Sequence, residues 1–216
     1  MAWSRERMSV GSRRASPRAR LPQRVFLLSP ANCNGKRAQL LFREDAAFDL
    51  ARRIRSSAGA PLGEVFSFVS GLYFRGKLTY ASSFASTLDH ARIITPGDGL
   101  ERTGTAVRLD DLARYAAVSI DAGESRYRLP LVRDCRRLAR GLSPDDEVVL
   151  LGSIATPKYL AILEPIFGDR LRVPRDFIGR GDMSRGALLL RAVRAASELE
   201  YISARALRAE PADPLP

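Results

Sequence analysis

The stretch Glu147–Tyr159, EVVLLGSIATPKY, determines the fold class. It begins with a short apolar run, Val148–Gly152, which a small polar turn follows. Thr156 and Pro157 then predict a helix start, because threonine is a good N-cap and the fixed φ of proline suits the first helical position. A buried strand, a polar turn and a capped helix are the usual ligand-binding unit of α/β folds, since the helix N-terminus offers free N–H groups to an anion.

Other short apolar runs alternate with helical patterns along the chain. Val25–Leu28, Glu64–Ser70, Ile93–Thr95 and Arg170–Val173 are predicted strands; the second is rich in β-branched and aromatic residues. The segments between them carry apolar residues at helical spacing. The sequence therefore predicts an α/β fold with a Rossmann-like, mostly parallel sheet flanked by helices on both faces.

Composition indicates one domain. The chain has 216 residues, of which 45% are hydrophobic and 27% charged, as in ordinary globular proteins. We expect a disordered basic arm over residues 1–22, a single α/β domain over 23–202 and a flexible tail over 203–216. No apolar run approaches the roughly 18 residues that span a membrane. Two cysteines make neither a disulfide framework nor a zinc cluster, so a reducing cytoplasm is the predicted location.

The formal net charge of +11 is unevenly distributed. Residues 1–24 hold seven arginines against one glutamate. Such an arm can contact phosphates without sequence preference. An Arg- and Ser-rich, acid-poor segment also resembles a transit peptide, or a gene start placed upstream of Met8. These interpretations of the arm stay open.

Polar residues follow the predicted strands in the loops Ser29–Lys36, Ser70–Lys77, Thr95–Gly99 and Gly152–Lys158. Because the carboxyl ends of parallel strands meet at one edge of a sheet, we expect these loops to form one pocket, joined by the glycine-rich segment Phe177–Gly186. Tyr73 stands close to Arg75 and Lys77 in the sequence. An aromatic ring can stack on a nucleic-acid base while neighbouring cations bind its phosphate. The predicted ligand-binding residues are Asn34, Lys36, Tyr73, Arg75, Lys77, Ser153, Lys158, Arg180, Ser184 and Arg185.

Asp98 and Asp182 are the predicted acid–base residues if the protein is an enzyme, because a carboxylate can position water or stabilise a cationic sugar-like transition state. A mechanism with a Ser–His–Asp or Cys–His arrangement is not predicted, because it would have to use His90, the only histidine. The segment that ends in Gly35-Lys36 departs from the phosphate-loop pattern at Pro30 and Arg37. A Walker-type NTPase is therefore excluded, and no metal site is predicted.

Two short motifs resemble a known family. Leu28-Ser29-Pro30-Ala31, with Ser70-Gly71-Leu72-Tyr73 further on, resembles the YaaA-like peroxide-stress family of DNA-binding proteins and, more loosely, the uracil-DNA-glycosylase-like α/β proteins. Val149–Ser153 is similar to a strand and turn that those glycosylases place late in their sheet. Asn32 stands where the YaaA-like pattern has lysine. The resemblance implies a connection to nucleic acids or nucleobases.

These observations together predict a nucleic-acid- or nucleotide-associated protein, and one that acts on a nucleobase or glycosidic bond if it is catalytic. Two alternatives remain open. The protein could be a non-catalytic DNA-binding protein that relies on its basic arm and surface. It could also be a small-molecule enzyme for an anionic metabolite. The sequence specifies no cofactor.

Overall fold

The structure, a computed structural model, describes residues 22–209. The predicted basic arm lies outside these residues apart from Pro22, and so do residues 210–216 of the predicted tail. In chain order the elements are β1 (Arg24–Leu28), α1 (Lys36–Phe42), α2 (Asp49–Arg55), β2 (Ala60–Pro61), α3 (Leu62–Ser70), α4 (Leu72–Phe84), β3 (Ala91–Ile94), β4 (Leu100–Arg102), β5 (Ala106–Val107), α5 (Leu109–Ala116), α6 (Ser125–Gly141), β6 (Glu147–Leu151), α7 (Pro157–Phe167), β7 (Leu171–Pro174), α8 (Asp182–Arg194), β8 (Tyr201–Ser203) and α9 (Ala206–Ala209).

Six of the strands form one sheet in the order β4-β3-β1-β6-β7-β8. The inner four, β3, β1, β6 and β7, run parallel, whereas the edge strands β4 and β8 run antiparallel to their neighbours. The α/β class and the mostly parallel sheet are thus confirmed. From β1 the chain first builds outward to β3 and later to β6 on the other side. The carboxyl ends of β1 and β6 therefore form a topological switch point, where open α/β sheets have their ligand crevice.

Helices cover both faces of the sheet, which explains why its two central strands, β1 and β6, carry continuous apolar runs. On β1, Phe26 and Leu28 face one core, packed against α1–α5 and α8. Val25 and Leu27 face the second core, packed against α6 and α7. All four side chains are almost completely buried. Within residues 22–209, no helix is both long and apolar enough to cross a membrane.

The predicted strand at Glu64–Ser70 is wrong, because this segment belongs to helix α3. The buried residues of α3 include Leu62, Val65, Phe66 and Val69, which lie at helical spacing along one face. That face packs into the core, and the burial outweighs the β preference of the valines and phenylalanines. The predicted loop up to Lys77 is wrong for the same region, since Gly71 has a φ of 64° and helix α4 begins directly after it.

The stretch from which the fold was predicted behaves as expected. Glu147–Leu151 is the strand β6, and Pro157 opens α7 at its first helical position. Thr156 occupies the N-cap position, but its hydroxyl makes no capping hydrogen bond. The helix ends at Gly168, whose φ of 55° suits glycine. The edge strands β4 and β8 were not predicted, because three residues are too few to show a period.

Candidate functional site

Five buried polar side chains converge at the carboxyl ends of β1 and β6. We call them the switch-point cluster. Each is 5% exposed or less. Burying polar and charged groups is costly unless they are hydrogen-bonded, so such a concentration is unusual for a simple core. The members of the cluster are Ser29, Tyr73, Lys77, Tyr159 and Arg185.

Lys77 lies at the centre of the switch-point cluster. Its Nζ donates hydrogen bonds to the main-chain oxygen of Ser29 at 2.6 Å and to Oγ of Ser29 at 2.8 Å. The amine also lies 4.5 Å from the ring centroid of Tyr73 and 4.8 Å from that of Phe74. A neutral amine has two N–H groups, and Ser29 supplies two acceptors. The site is therefore well matched to the uncharged form of Lys77.

The charge state of Lys77 is sensitive to pH near neutrality. Complete burial lowers the pKa of Lys77 from 10.5 to about 7, because the charged form loses its hydration. The negative charge of Asp182 opposes this shift, and the positive charge of Lys158 adds to it. Both of these residues were predicted site residues. Their influence places them around the same buried amine.

Arg185 and Asp182 connect the cluster to the surface. The Arg185 guanidinium donates to the main-chain oxygen of Phe177 from Nη2 at 3.0 Å and from Nε at 3.3 Å. Its Nη1 lies 3.4 Å from Oδ1 of Asp182. The Asp182 side chain is 67% exposed, whereas that of Arg185 is buried. Asp182 thus presents a carboxylate at the surface, and its contact with Arg185 links this carboxylate to the buried cluster.

The two tyrosines of the cluster are held in their protonated form. Burial raises the pKa of Tyr73, and it also raises the pKa of Tyr159 against the opposing effect of a hydrogen bond with Ser29. Within residues 22–209, the buried Tyr73 hydroxyl makes no hydrogen bond of good geometry, although the nearby Arg185 guanidinium acts to lower its pKa against the effect of burial. Since a buried hydroxyl rarely stays unpaired, it has capacity for one further hydrogen bond, to a water molecule or a ligand atom. The ring is not an open stacking platform, because Lys77 covers one face.

Two glycines bring α4 and α8 close enough for these contacts. A Cβ on Gly76 would lie 2.8 Å from the main-chain oxygen of Gly186. A Cβ on Gly186 would lie 2.9 Å from Cα of Tyr73. Both distances are shorter than real Cβ contacts, so only glycine permits this approach of the two helices. The close packing sets Lys77 and Arg185 in one cluster.

Further predicted anion contacts lie in the segments next to the switch-point cluster. Ser153 follows β6 and is half-buried, and Lys158 is in the first turn of α7 with its Nζ 5.2 Å from the ring centroid of Tyr159. Arg180 precedes α8 and donates from Nη1 to Oγ of Ser184 at 3.3 Å. The N-termini of α7 and α8 add unpaired N–H groups and positive dipole ends.

Other predicted site residues do not join the cluster. Arg75 is exposed and lies about 160–200° around α4 from Tyr73 and Lys77, since each residue turns a helix by about 100°. Asn34 donates from Nδ2 to the main-chain oxygen of Ala116 at 2.8 Å. Lys36 is exposed at the start of α1 and has no hydrogen bond or ion pair within residues 22–209.

Asp98 has structural partners on both carboxylate oxygens. Oδ1 forms an ion pair with Arg114, and Oδ2 accepts a hydrogen bond from the Tyr115 hydroxyl at 2.6 Å. Its main-chain N–H donates to Oγ1 of Thr95 at 2.9 Å. These contacts brace the turn between β3 and β4. Of the two predicted acid–base residues, Asp182 has the less engaged carboxylate.

Sequence analysis missed two members of the cluster. Ser29 directly follows the apolar run of β1, so its position at a strand end could have marked it. Tyr159 gave no such signal, because an aromatic residue in an apolar helix suggests core packing. Among the described residues, no three histidine, cysteine, aspartate or glutamate side chains are grouped as metal ligands.

Fold and site together define an α/β protein with a buried polar cluster at the switch point of a mostly parallel sheet. The chain matches no family model, no curated protein and no solved structure. The resemblance to the YaaA-like and uracil-DNA-glycosylase-like proteins accordingly stays a prediction.

Proposed function

We propose that the carboxyl ends of β1 and β6 form the floor of a ligand crevice that binds a nucleotide, free or within nucleic acid, and that the protein acts there on the base or its glycosidic bond. The sheet would serve as a Rossmann-like platform for this ligand. The single observation that carries the proposal is the switch-point cluster, in which buried basic side chains and phenols meet where α/β proteins hold their ligands.

Phosphate recognition is supported by the charges around the rim. Lys158 and Arg180 stand beside the N-termini of α7 and α8, and Ser153 adds a hydroxyl between strand and helix. Free N–H groups and a positive dipole end favour a bound anion, and nearby cations strengthen the preference. An anionic ligand of nucleotide type fits this arrangement.

Base and sugar recognition is assigned to the inner part of the crevice. The unpaired hydroxyl of Tyr73 can donate a hydrogen bond to a ligand acceptor. Asp182 can position water or stabilise positive charge as a glycosidic bond breaks. Lys77 is a positioning residue in this scheme, because its two hydrogen bonds hold Ser29 at the end of β1.

The proposal is tested with Asp182→Asn in the full-length protein. Free nucleotides and short DNA and RNA oligonucleotides are incubated with the protein, and released base is quantified by mass spectrometry. We expect the variant to bind these probes but to lose about 100-fold or more in base release, the usual contribution of an acid–base group. The matched control is Asp110→Asn, since Asp110 is likewise exposed in the first turn of a helix.

Mass spectrometry of the molecules that copurify with the protein gives an independent check. Recovery of nucleotide or oligonucleotide supports the proposal. Recovery of a non-nucleotide anionic metabolite would instead favour the small-molecule alternative. Oligonucleotide binding without base release by the wild type would favour a non-catalytic DNA-binding protein. Base release that is equal in wild type and Asp182→Asn would remove Asp182 from the mechanism.

A further inference from the structure

Helix α6 carries a stripe of arginines on its solvent-exposed side. At about 100° per residue these five side chains fall within an arc of about 100°, and the first and last are about 21 Å apart along the helix. All five are exposed. The α6 stripe consists of Arg126, Arg133, Arg136, Arg137 and Arg140.

Most of the positive charge on the α6 stripe is uncompensated. Arg126 pairs with Glu124, and Arg133 pairs with Asp134. Among the residues that the structure describes, the other three arginines have no hydrogen bond or ion pair. Asp134 also interacts electrostatically with Arg137, so two carboxylates face five guanidinium groups. The excess cations along one helix repel one another, and a polyanion on this surface would relieve unfavourable electrostatic energy.

The stripe begins near the rim of the crevice. Near its start, the Tyr127 hydroxyl donates to the main-chain oxygen of Lys158 at 3.5 Å. Because α6 leads into β6, its other end lies near the amino ends of the strands. There Arg133 and Arg137 line a groove of about 540 Å³ together with three carboxylates, those of Asp89, Glu101 and Asp134. Because these carboxylates would repel phosphate, the path for a chain of phosphates is the solvent-exposed side of α6 rather than this groove.

We infer that the α6 stripe binds the phosphate backbone of a nucleic acid. The inference deepens the proposed function and rests on it for the role of the crevice, because it names nucleic acid rather than a free nucleotide as the substrate class. Arginine suits this partner, since its planar guanidinium can bind phosphate oxygens in bidentate fashion.

An anionic membrane surface fits this helix less well. Interfacial helices insert a wide apolar face among the lipids. The apolar face of α6 is already occupied, since Tyr127, Leu131 and Cys135 are buried in the core of the domain. On its exposed side the large apolar residue is Leu129, which is 57% exposed. Charge alone would have to hold α6 on a bilayer.

The test compares two triple variants of the full chain. Arg136→Gln, Arg137→Gln and Arg140→Gln together remove three charges from the stripe. The matched control, Arg52→Gln with Arg191→Gln and Arg194→Gln, removes three exposed charges from α2 and α8, which pack on the opposite face of the sheet. Fluorescence anisotropy gives the affinity for a labelled single-stranded DNA and its duplex at several salt concentrations.

We expect the stripe variant to lower the slope of log affinity against log salt by about 2 to 3, because each phosphate contact contributes about 0.7 to 0.9. Its affinity at about 0.1 M salt should fall on the order of 100-fold. The control should stay within a few-fold of wild type. Equal losses in both variants would overturn the inference, since net charge rather than the stripe would then account for binding.

Further outcomes separate this inference from the proposed function. Unchanged oligonucleotide binding by the stripe variant overturns the inference about α6. It leaves the proposed function open to its own test, because base release from free nucleotides does not depend on the stripe. Reduced binding to phosphatidylcholine–phosphatidylserine vesicles with intact DNA binding would assign the stripe to a membrane surface instead. Loss of DNA binding by the stripe variant, with no base release by wild type, supports the stripe and refutes the catalytic proposal.

Discussion

Replacing Lys77 by methionine should remove a pH dependence from the free energy of unfolding. In the folded protein Lys77 binds its proton only below a pKa of about 7, whereas in the unfolded chain the ordinary value of 10.5 applies. Between these two values the unfolded state holds more protons than the folded state. The free energy of unfolding of the wild type therefore rises with pH across this window.

The size of the effect follows from the size of the shift. One pKa unit corresponds to about 1.4 kcal/mol, so the shift of Lys77 is worth at most about 5 kcal/mol over the whole window. Only part of this is reached in an accessible range. From about pH 7 to about pH 9 the contribution of Lys77 should raise the free energy of unfolding by about 2 kcal/mol. Below pH 7 the penalty for the buried charge is almost fully present.

Urea unfolding followed by far-UV circular dichroism measures this difference. Wild type and Lys77→Met are unfolded at several pH values, and the difference between their free energies of unfolding isolates Lys77 from other titrating groups. Methionine keeps the apolar stem but removes both hydrogen bonds to Ser29 and leaves its buried main-chain oxygen unpaired, which costs about 1–3 kcal/mol at every pH. A difference that does not change between about pH 7 and about pH 9 would refute the burial argument.

Lys158→Met is the matched control for this experiment. It also replaces a lysine at the crevice by methionine, but it leaves the buried amine of Lys77 and its two hydrogen bonds in place. The control should therefore retain most of the pH dependence of wild type. If both variants lost it equally, the dependence would belong to the charge of the crevice as a whole rather than to Lys77.

Three further predictions concern other parts of the fold. Gly186→Ala places a Cβ 2.9 Å from the backbone of α4, so urea unfolding should show a loss of about 1–3 kcal/mol; an unchanged midpoint would contradict the close packing. Cys33 and Cys135 are buried, and burial raises the pKa of Cys33 to about 12. An aromatic disulfide reagent at about pH 8 should therefore label neither thiol until the protein is unfolded; rapid labelling of the native protein would disprove this. Asp98→Ala removes the acceptor of the Tyr115 hydroxyl and should cost about 1–2 kcal/mol without changing base release. A large loss of base release would return the acid–base role to Asp98.

Local patterns predicted much of the architecture. The apolar runs at Val25–Leu28 and Val148–Leu151 are the two central strands, because only a strand buried on both faces is apolar at every position. The sequence also predicted both ends of α7, from Pro157 at its start and Gly168 just after its last residue. The same approach failed at Glu64–Ser70, where valines and phenylalanines fit either a strand or one face of a helix. Which of the two formed depended on what the segment packs against.

The candidate site was predicted only in part. Tyr73, Lys77 and Arg185 were named from sequence, but as surface contacts for phosphate and base. The structure buries all three. Arg75, which is two residues from Tyr73 and from Lys77, lies instead on the outer side of α4, because a helix turns neighbouring positions away from one another.

The sequence by itself determined the two central strands, the start of α7 at Pro157 and the strongly basic charge of the chain, since these properties depend on residues a few positions apart. Tertiary structure alone decided that Lys77 contacts Ser29, which lies 48 positions earlier in the chain. It also decided that Arg185 of α8 belongs to the same cluster. The approach of Gly76 to Gly186 makes these contacts possible. Burial then changes the chemistry, because the same amine that would be a charged surface group in water loses its hydration inside the fold.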